Sequence, residues 1–299
     1  MKICLVATGG TIGSREDTDG VIKFSDAATE QIADIVEADS VFDEFKIHSE
    51  RMKISDLSKI RKIVERALKT KPDGIIVSHG TDTLAYSSAY LAYAFCNVKI
   101  PIVICSADQP LTKRDSNGFD VLRSAKMFLR SGKAGVYVAY KNPDYAPRIH
   151  HAARLLPAHL HEYFYNSIGD SVFCDTGLLR GMDFDLQEHK VLCITPYVGM
   201  DYSSFDVKGY SAVVQCAYHS GTVNTSDFNE FASRNSNIPI FLTTGKSRYD
   251  GQVFVDNVVP CQGITQSALY IKLLVGLKNN VKDLASFALK NACGEIVVQ

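Results

Sequence analysis

A chain of 299 residues with 46% apolar side chains is long enough for one large core or two smaller ones, and two domains are expected. Its 32 Lys and Arg are spread against 33 Asp and Glu for a net charge of -1, which argues against nucleic acid or an anionic membrane surface as partner. No apolar run approaches the roughly 20 residues that cross a bilayer, and the run behind Met1 and Lys2 is too short for a signal peptide.

In chain order, apolar β-favouring runs alternate with segments of helical period. A strand at residues 3–6 leads into Ala7-Thr8-Gly9-Gly10-Thr11-Ile12-Gly13, then a polar stretch over 14–19, a helix over 29–36 and a strand near 42–47. A helix over 55–68 repeats Ile60, Ile63, Val64 and Ala67 at helical spacing, with Ser55 or Asp56 to cap it. A strand at 74–77 precedes His79-Gly80-Thr81-Asp82-Thr83 and a helix through Ala85, Ala89, Leu91 and Ala92, with Thr83 read as its cap. Then come a strand at 100–105, a helix near 119–129 and a strand at 136–140. This βαβ rhythm predicts an α/β fold, a mostly parallel sheet covered by helices. After a less regular stretch from 142 to 189, a second alternation places strands at 191–194, 212–216 and 238–242, with helices near 227–232, 267–277 and 284–289. The predicted division is a larger N-terminal domain, 1–185, carrying the site, and a smaller C-terminal α/β domain, 186–299.

Both motifs are turns leaving strands, where open α/β sheets place their ligands. Two threonines and an aspartate delivered there make a hydroxyl-rich, acid-flanked pocket suited to nucleophilic attack on a small polar substrate. Eight cysteines without a C-x-x-C pair read as reduced thiols of a cytoplasmic protein.

With these two motifs in this order, the chain resembles the bacterial-type L-asparaginase family along essentially its whole length; residues 78–86 are especially similar to cytosolic type I enzymes. The resemblance implies a larger and a smaller α/β domain, a homodimer or homotetramer, no cofactor, and a small amide or amino acid as substrate. It implies Thr11 as nucleophile under a mobile loop, Thr81 as second catalytic hydroxyl, Asp82 as the carboxylate holding the substrate α-ammonium, and Ser49 as receiver of its α-carboxylate. The Gly9-Gly10 pair lets backbone approach closely and point N–H groups inward, and Gly10, Gly80 and Glu50, which stands where type II enzymes carry glutamine, are counted with Ser49 as substrate-binding.

The departures are local. No tyrosine precedes Tyr86, and Val21 stands where the family's loop tyrosine is expected. Counting from Gly135 puts Ala152 at the family's lysine, or Arg154 with a two-residue slip; arginine is a poor proton acceptor. His79, His150, His151 or His219 could supply a base. Glu50 disfavours a bound carboxylate unless a cation such as Arg51 compensates.

The leading expectation is therefore an asparaginase-like amidohydrolase. Its rivals are a non-catalytic amino-acid binder, an amidohydrolase for a different small amide, and amide hydrolysis within a tRNA-dependent amidotransferase, for which no added domain or basic surface is seen. His150, His151, His159, His161 and Glu162 lack a metal-ligand frame, and no metal is expected. Gly245-Lys246-Ser247 lacks the earlier glycine of a phosphate loop, and Asn224 loosely matches an asparagine the family uses across a subunit contact.

Overall fold

The first apolar run forms β1 (Ile3–Ala7), buried along its whole length. The structure, a computed structural model, describes residues 1–158, 162–169, 172–186, 190–246 and 252–297. In chain order follow β2 (Ser14–Glu16), β3 (Ile22–Phe24), α1 (Asp26–Val36), β4 (Ser40–Phe42), α2 (Ile54–Lys69), β5 (Gly74–Ser78), α3 (Leu84–Ala94), β6 (Pro101–Cys105), α4 (Gly118–Leu129), β7 (Gly135–Tyr140) and β8 (Arg148–His151). The C-terminal part contributes β9 (Val191–Ile194), β10 (Ala212–Cys216), α5 (Thr225–Arg234), β11 (Ile240–Thr244), β12 (Val258–Gln262), α6 (Gln266–Lys278) and α7 (Leu284–Leu289).

Two sheets result, one ordered β4-β1-β5-β6-β7-β8 and the other β12-β11-β10-β9. The pairs β1 to β5, β5 to β6 and β6 to β7 are parallel, as are all pairs of the second sheet. Alternation explains why both faces of the first sheet are dry. Cys4, Val6, Ile75, Val77, Ile102 and Ile104 join one apolar cluster, whereas Ile3, Leu5, Ile76 and Val103 join the other. The cluster holding Val77 and Ile104 continues into the C-terminal part through Phe241, Leu269 and Leu273. α3 lies in that cluster, which is why it is apolar nearly all round: Tyr93 donates to Ala268 O at 3.1 Å and Tyr90 to Phe184 O at 2.5 Å.

The α/β class is as expected, and the differences are at edges and turns. The polar stretch after the opening motif is an antiparallel hairpin, pairing Ser14 with Phe24 and Glu16 with Ile22. Asp17 builds its turn, its Oδ1 accepting the Asp19 and Val21 N–H groups at 2.9 Å. The strand expected at 42–47 ends at Phe42, and Ile47 makes only a bridge to Gly9. The charged run Asp43, Glu44 and Lys46 breaks the alternation, and Lys46 turns instead to Asp26 at 2.7 Å. β8 and β12 were not foreseen; Pro260 hides β12, and proline is tolerated there because β12 is an edge strand. α2 begins at Ile54, with the Asp56 carboxylate accepting the Lys53 N–H at 2.9 Å. Among the described residues no helix is long and apolar enough to cross a membrane, and none of the eight cysteines is in a disulfide.

Candidate active site

Glycine lets three segments meet at the carboxyl ends of β1 and β5. Gly9 and Gly10 have φ of 97° and 78°, a region that L side chains avoid. A Cβ on Gly10 would overlap the His79 carbonyl and the Gly80 nitrogen, and one on Gly80 would overlap the Ser49 side chain. The opening turn, the later turn and the segment before α2 are therefore in direct contact. Thr11 begins a 3-10 turn, Thr11–Gly13, closed by the Gly13 N–H donating to Gly10 O at 3.0 Å. The Ser14 hydroxyl also donates to Gly10 O, at 2.8 Å, and fixes the turn's exit.

Ser49 is buried at the start of a second 3-10 turn, Ser49–Arg51. Its hydroxyl donates to Asp82 Oδ2 at 2.7 Å, and its oxygen accepts the Asp82 N–H at 3.2 Å. The carboxylate is thus aimed by a reciprocal pair from another segment. Thr83 does occupy the cap position of α3, but its hydroxyl makes no cap bond and donates to Ser49 O at 3.2 Å. The helix start is thereby tied to the Ser49 segment, a correction to its reading as a simple cap.

A cavity of about 370 Å³ opens on Thr81 and Asp82. Asp108 and Tyr140, just beyond β6 and at the end of β7, line it, and Glu162, Tyr163 and Tyr165 come from the irregular stretch after β8. The Tyr165 hydroxyl donates to Thr81 O at 2.5 Å, and its ring meets Tyr140 edge-on at 4.6 Å between centroids. Burial pushes the Asp108 carboxyl above its ordinary range and both phenols, Tyr140 and Tyr165, well above theirs. Of the predicted site residues, Thr81 and Asp82 line this cavity; Gly10, Gly80 and Ser49 make the contacts beside it, and Thr11, next to Gly10 in the opening turn, is not among the residues that line the cavity. Glu50 is exposed, 3.7 Å from Arg51 Nε, so the expected cation is present but faces solvent with it.

Similarity to known proteins bears on this arrangement. The family model described as Asparaginase, N-terminal, matches residues 2–161. The chain belongs to the asparaginase family. An L-asparaginase of Thermococcus kodakarensis is 32% identical over 154 residues, covering 47% of this chain and 44% of that protein. The chain therefore spans less than half of that relative's length in the match. A glutamyl-tRNA(Gln) amidotransferase subunit of Pyrococcus abyssi is 24% identical over 342 residues, 99% of this chain and 76% of that one. Among solved structures, the thermostable L-asparaginase from T. kodakarensis superposes with a TM-score of 0.79 at 24% identity over all of both chains. L-asparaginase I from Vibrio cholerae gives 0.78 at 19% identity over 99% of each. At these identities the superpositions show a shared fold.

Within this asparaginase-family fold, the positions considered for the lysine face elsewhere. Ala152 is fully buried and its carbonyl accepts from Ser88 Oγ at 2.9 Å. Arg154 holds the C-terminal segment, its Nε donating to Gly294 O at a short distance and its Nη2 to Ile296 O at 3.1 Å. His151 Nε2 donates to Cys293 O at 2.9 Å while Nδ1 accepts the Ala153 N–H, which assigns a neutral ring. His150 Nδ1 lies 3.1 Å from Ser167 Oγ. Burial lowers both imidazoles to about 4. None of the four lines the cavity beside Thr81. His219 is exposed in the turn after β10, and Asn224, exposed at the start of α5, bonds Asp227 Oδ2 at 2.6 Å. His79 differs: it is buried at the start of the later turn, donates from Nδ1 to Gly80 O at 2.7 Å, and keeps an Nε2 with no partner among the described residues. Burial holds its pKa down, outweighing the Gly80 carbonyl and Asp82. Val21, at the loop-tyrosine position, is half exposed in the β2 to β3 turn. His159, His161 and Ser247 lie outside the described residues; among those described, no three His, Cys, Asp or Glu form a metal-holding group.

Asp108, Tyr140, Tyr163 and Tyr165 were missed from sequence, and Glu162 was considered only as a metal ligand. The strand-end rule applied to the motifs would have flagged Asp108 and Tyr140, which follow apolar runs. For residues 162–165 no local signal existed.

Proposed function

We propose that the chain hydrolyses the side-chain amide of a small amino acid, L-asparagine being the reference substrate, with Thr11 as nucleophile. The observation that carries this reading is the mutual contact of Gly10, Gly80 and Ser49, which sets both threonine turns against one anchored carboxylate. The Thr11 oxygen adds to the amide carbon, its proton passes to a base, and the oxyanion meets N–H groups of the glycine turn. Collapse, with that proton passed from the base to the nitrogen, expels ammonia and leaves an ester on Thr11, which water cleaves to the acid and the free hydroxyl. Thr81 supplies the second hydroxyl near the reacting carbon, and Asp82, aimed by Ser49, holds the α-ammonium. His79 is the histidine we assign as proton acceptor, since it belongs to the Thr81 turn, its backbone meets Gly10, and its buried Nε2 has no partner among the described residues. Eight cysteines with no disulfide among them support a cytoplasmic setting, and a homodimer or homotetramer is the proposed assembly.

The test is ammonia release from a panel of small amides. Thr11→Ala is expected to lower kcat/KM by about 10³-fold or more; unchanged activity removes the proposed nucleophile. Amino-acid binding by calorimetry with no hydrolysis across the panel favours a binding protein instead. The amidotransferase relatives, matched along nearly the whole chain, favour a second reading in which amide hydrolysis serves a tRNA-linked transfer. Ammonia release that requires added tRNA supports that reading, and release by the purified chain alone at full rate opposes it.

A further inference from the structure

We infer that Tyr165 is a positioning residue for the amide chemistry: its hydroxyl, opposed by Ser49, fixes the peptide that joins Thr81 to Asp82. The inference rests on the amide-hydrolase reading and adds a residue that prepares the second hydroxyl without itself reacting. A planar trans peptide points its C=O and N–H in opposite directions, so bonds at both ends hold it against rotation. Here the two ends are met from distant parts of the chain. The Thr81 carbonyl accepts the Tyr165 hydroxyl at 2.5 Å, and the Asp82 N–H donates to Ser49 Oγ at 3.2 Å. The same plane sets ψ of Thr81 and φ of Asp82, so pinning it fixes how the two side chains leave the turn relative to one another.

Tyr165 is itself anchored. Asn142, just beyond β7, accepts the Tyr165 N–H on Oδ1 at 2.8 Å and donates from Nδ2 to Tyr165 O at 2.9 Å, a reciprocal pair that ties the irregular stretch to the first sheet. The residue is 2% exposed and its ring meets Tyr140 edge-on, so the phenol is held through both backbone and ring. A phenol has one proton, and this one is given to Thr81 O, which leaves Tyr165 none to donate to a ligand. The Thr81 carbonyl also accepts the Leu84 N–H at 3.1 Å. That bond already satisfies the acceptor where α3 begins, so the phenol adds direction to a carbonyl that folding has otherwise met.

Two phenols in the same bonding state separate positioning from folding. Tyr90, fully buried on α3, also donates to a backbone carbonyl at 2.5 Å, that of Phe184, and is not among the residues that line the cavity. Tyr165→Phe and Tyr90→Phe each delete one oxygen and keep the ring, and each is expected to lower the Tm by a few degrees. Kinetics are measured on the amide that the unaltered chain hydrolyses fastest. Tyr165→Phe is expected to lower kcat about tenfold or more with KM within about twofold, because Asp82 keeps its Ser49 bond while Thr81 loses alignment. Tyr90→Phe is expected to leave both constants within about twofold. Asn142→Ala is expected to lower kcat several-fold, and combining it with Tyr165→Phe to cost less than the product of the two single losses. A kcat for Tyr165→Phe within about twofold of the unaltered chain, an equal loss in Tyr90→Phe, or a loss carried by KM alone overturns the inference. Should Tyr165→Phe fail to fold, Asn142→Ala decides by the same split of kcat and KM. No ammonia from the unaltered chain overturns the amide-hydrolase reading and the inference with it; ammonia from the unaltered chain at a rate that Tyr165→Phe matches overturns the inference alone.

Discussion

The two sheets, the first mostly and the second wholly parallel, treat the carboxyl ends of their strands differently. In the second sheet the polar groups are largely spent inside the chain: Gln215 Nε2 donates to Cys216 O and the Thr243 hydroxyl to Ile264 O, both at 2.7 Å. In the first, Ser78 Oγ, His79 Nε2, Ser106 Oγ and Asp108 Oδ1 are all buried without a partner among the described residues, whereas Gln215 Oε1 is the one such atom on a strand of the second. Native proteins rarely tolerate such atoms, and four within two adjacent strand ends mark capacity held back from folding. The same architecture thus closes itself at one end and keeps hydrogen-bonding capacity beside a cavity at the other.

The sharpest way to break this comparison is a pair of glycine substitutions with equal local crowding. Gly10 and Gly263 both have positive φ, and a Cβ on Gly263 would overlap Val297 O as severely as one on Gly10 overlaps the His79 carbonyl. Gly10→Ala is expected to lower ammonia release by about 100-fold or more, because it separates the two turns. Gly263→Ala is expected to lower the Tm by several degrees with kcat/KM within about twofold; an equal loss of activity would erase the distinction between the sheets.

Next in size is the clamp beneath α6 and α7. Lys272 and Glu295 are both fully buried and meet at 2.7 Å, with Glu295 also accepting the Ala292 and Cys293 N–H groups. Burial pushes the Glu295 carboxyl up, but Lys272 and the backbone donors outweigh it and hold it below its ordinary range. Lys272→Met strands that carboxylate and is expected to cost about 3–5 kcal/mol in urea unfolding. Because the folded pKa is depressed, this contribution is present above the unfolded value and lost as pH falls through the folded one.

A third effect is acid sensitivity. Burial lowers His150 and His151 to about 4, from an ordinary value of 6.5. Between those values the unfolded chain binds protons that the folded chain refuses, so stability falls as pH drops from 6.5 toward 4, by about 3 kcal/mol per histidine. Urea titrations at about pH 7 and pH 5 should show the loss, and His150→Asn should remove about half of it; a flat profile contradicts the buried neutral rings. The smallest effect is Ser49→Ala, which frees Asp82 and is expected to raise KM about tenfold with little change in Tm.

Much of the fold was legible because its signals are local. The runs at β1, β5, β6, β7, β9 and β10 announced themselves by β-branched residues between glycine and polar turns, and α2 by its helical spacing. That the two motif turns share one region was also implicit, since both leave apolar strands; that Gly10 and Gly80 are where the backbones meet came from the structure. The hairpin at Asp17-Thr18-Asp19-Gly20 carried a signal as well, an Asp-Gly pair between short runs, but the flanking strands are too short and polar to stand out from a loop. The roles of Arg154 and His151 were not legible, because their partners, Gly294, Ile296 and Cys293, lie some 140 residues away in sequence.

The sequence by itself determined the α/β class, the family, and the two threonine turns at strand ends, since backbone preference and strand alternation act over a few residues. Only the tertiary structure decided that Asp108, Tyr140, Glu162, Tyr163 and Tyr165 surround Thr81, and that Arg154 and His151 serve the C-terminal segment instead. Which partner a polar side chain meets depends on what packing brings within about 3 Å of it, and no spacing along the chain encodes that distance.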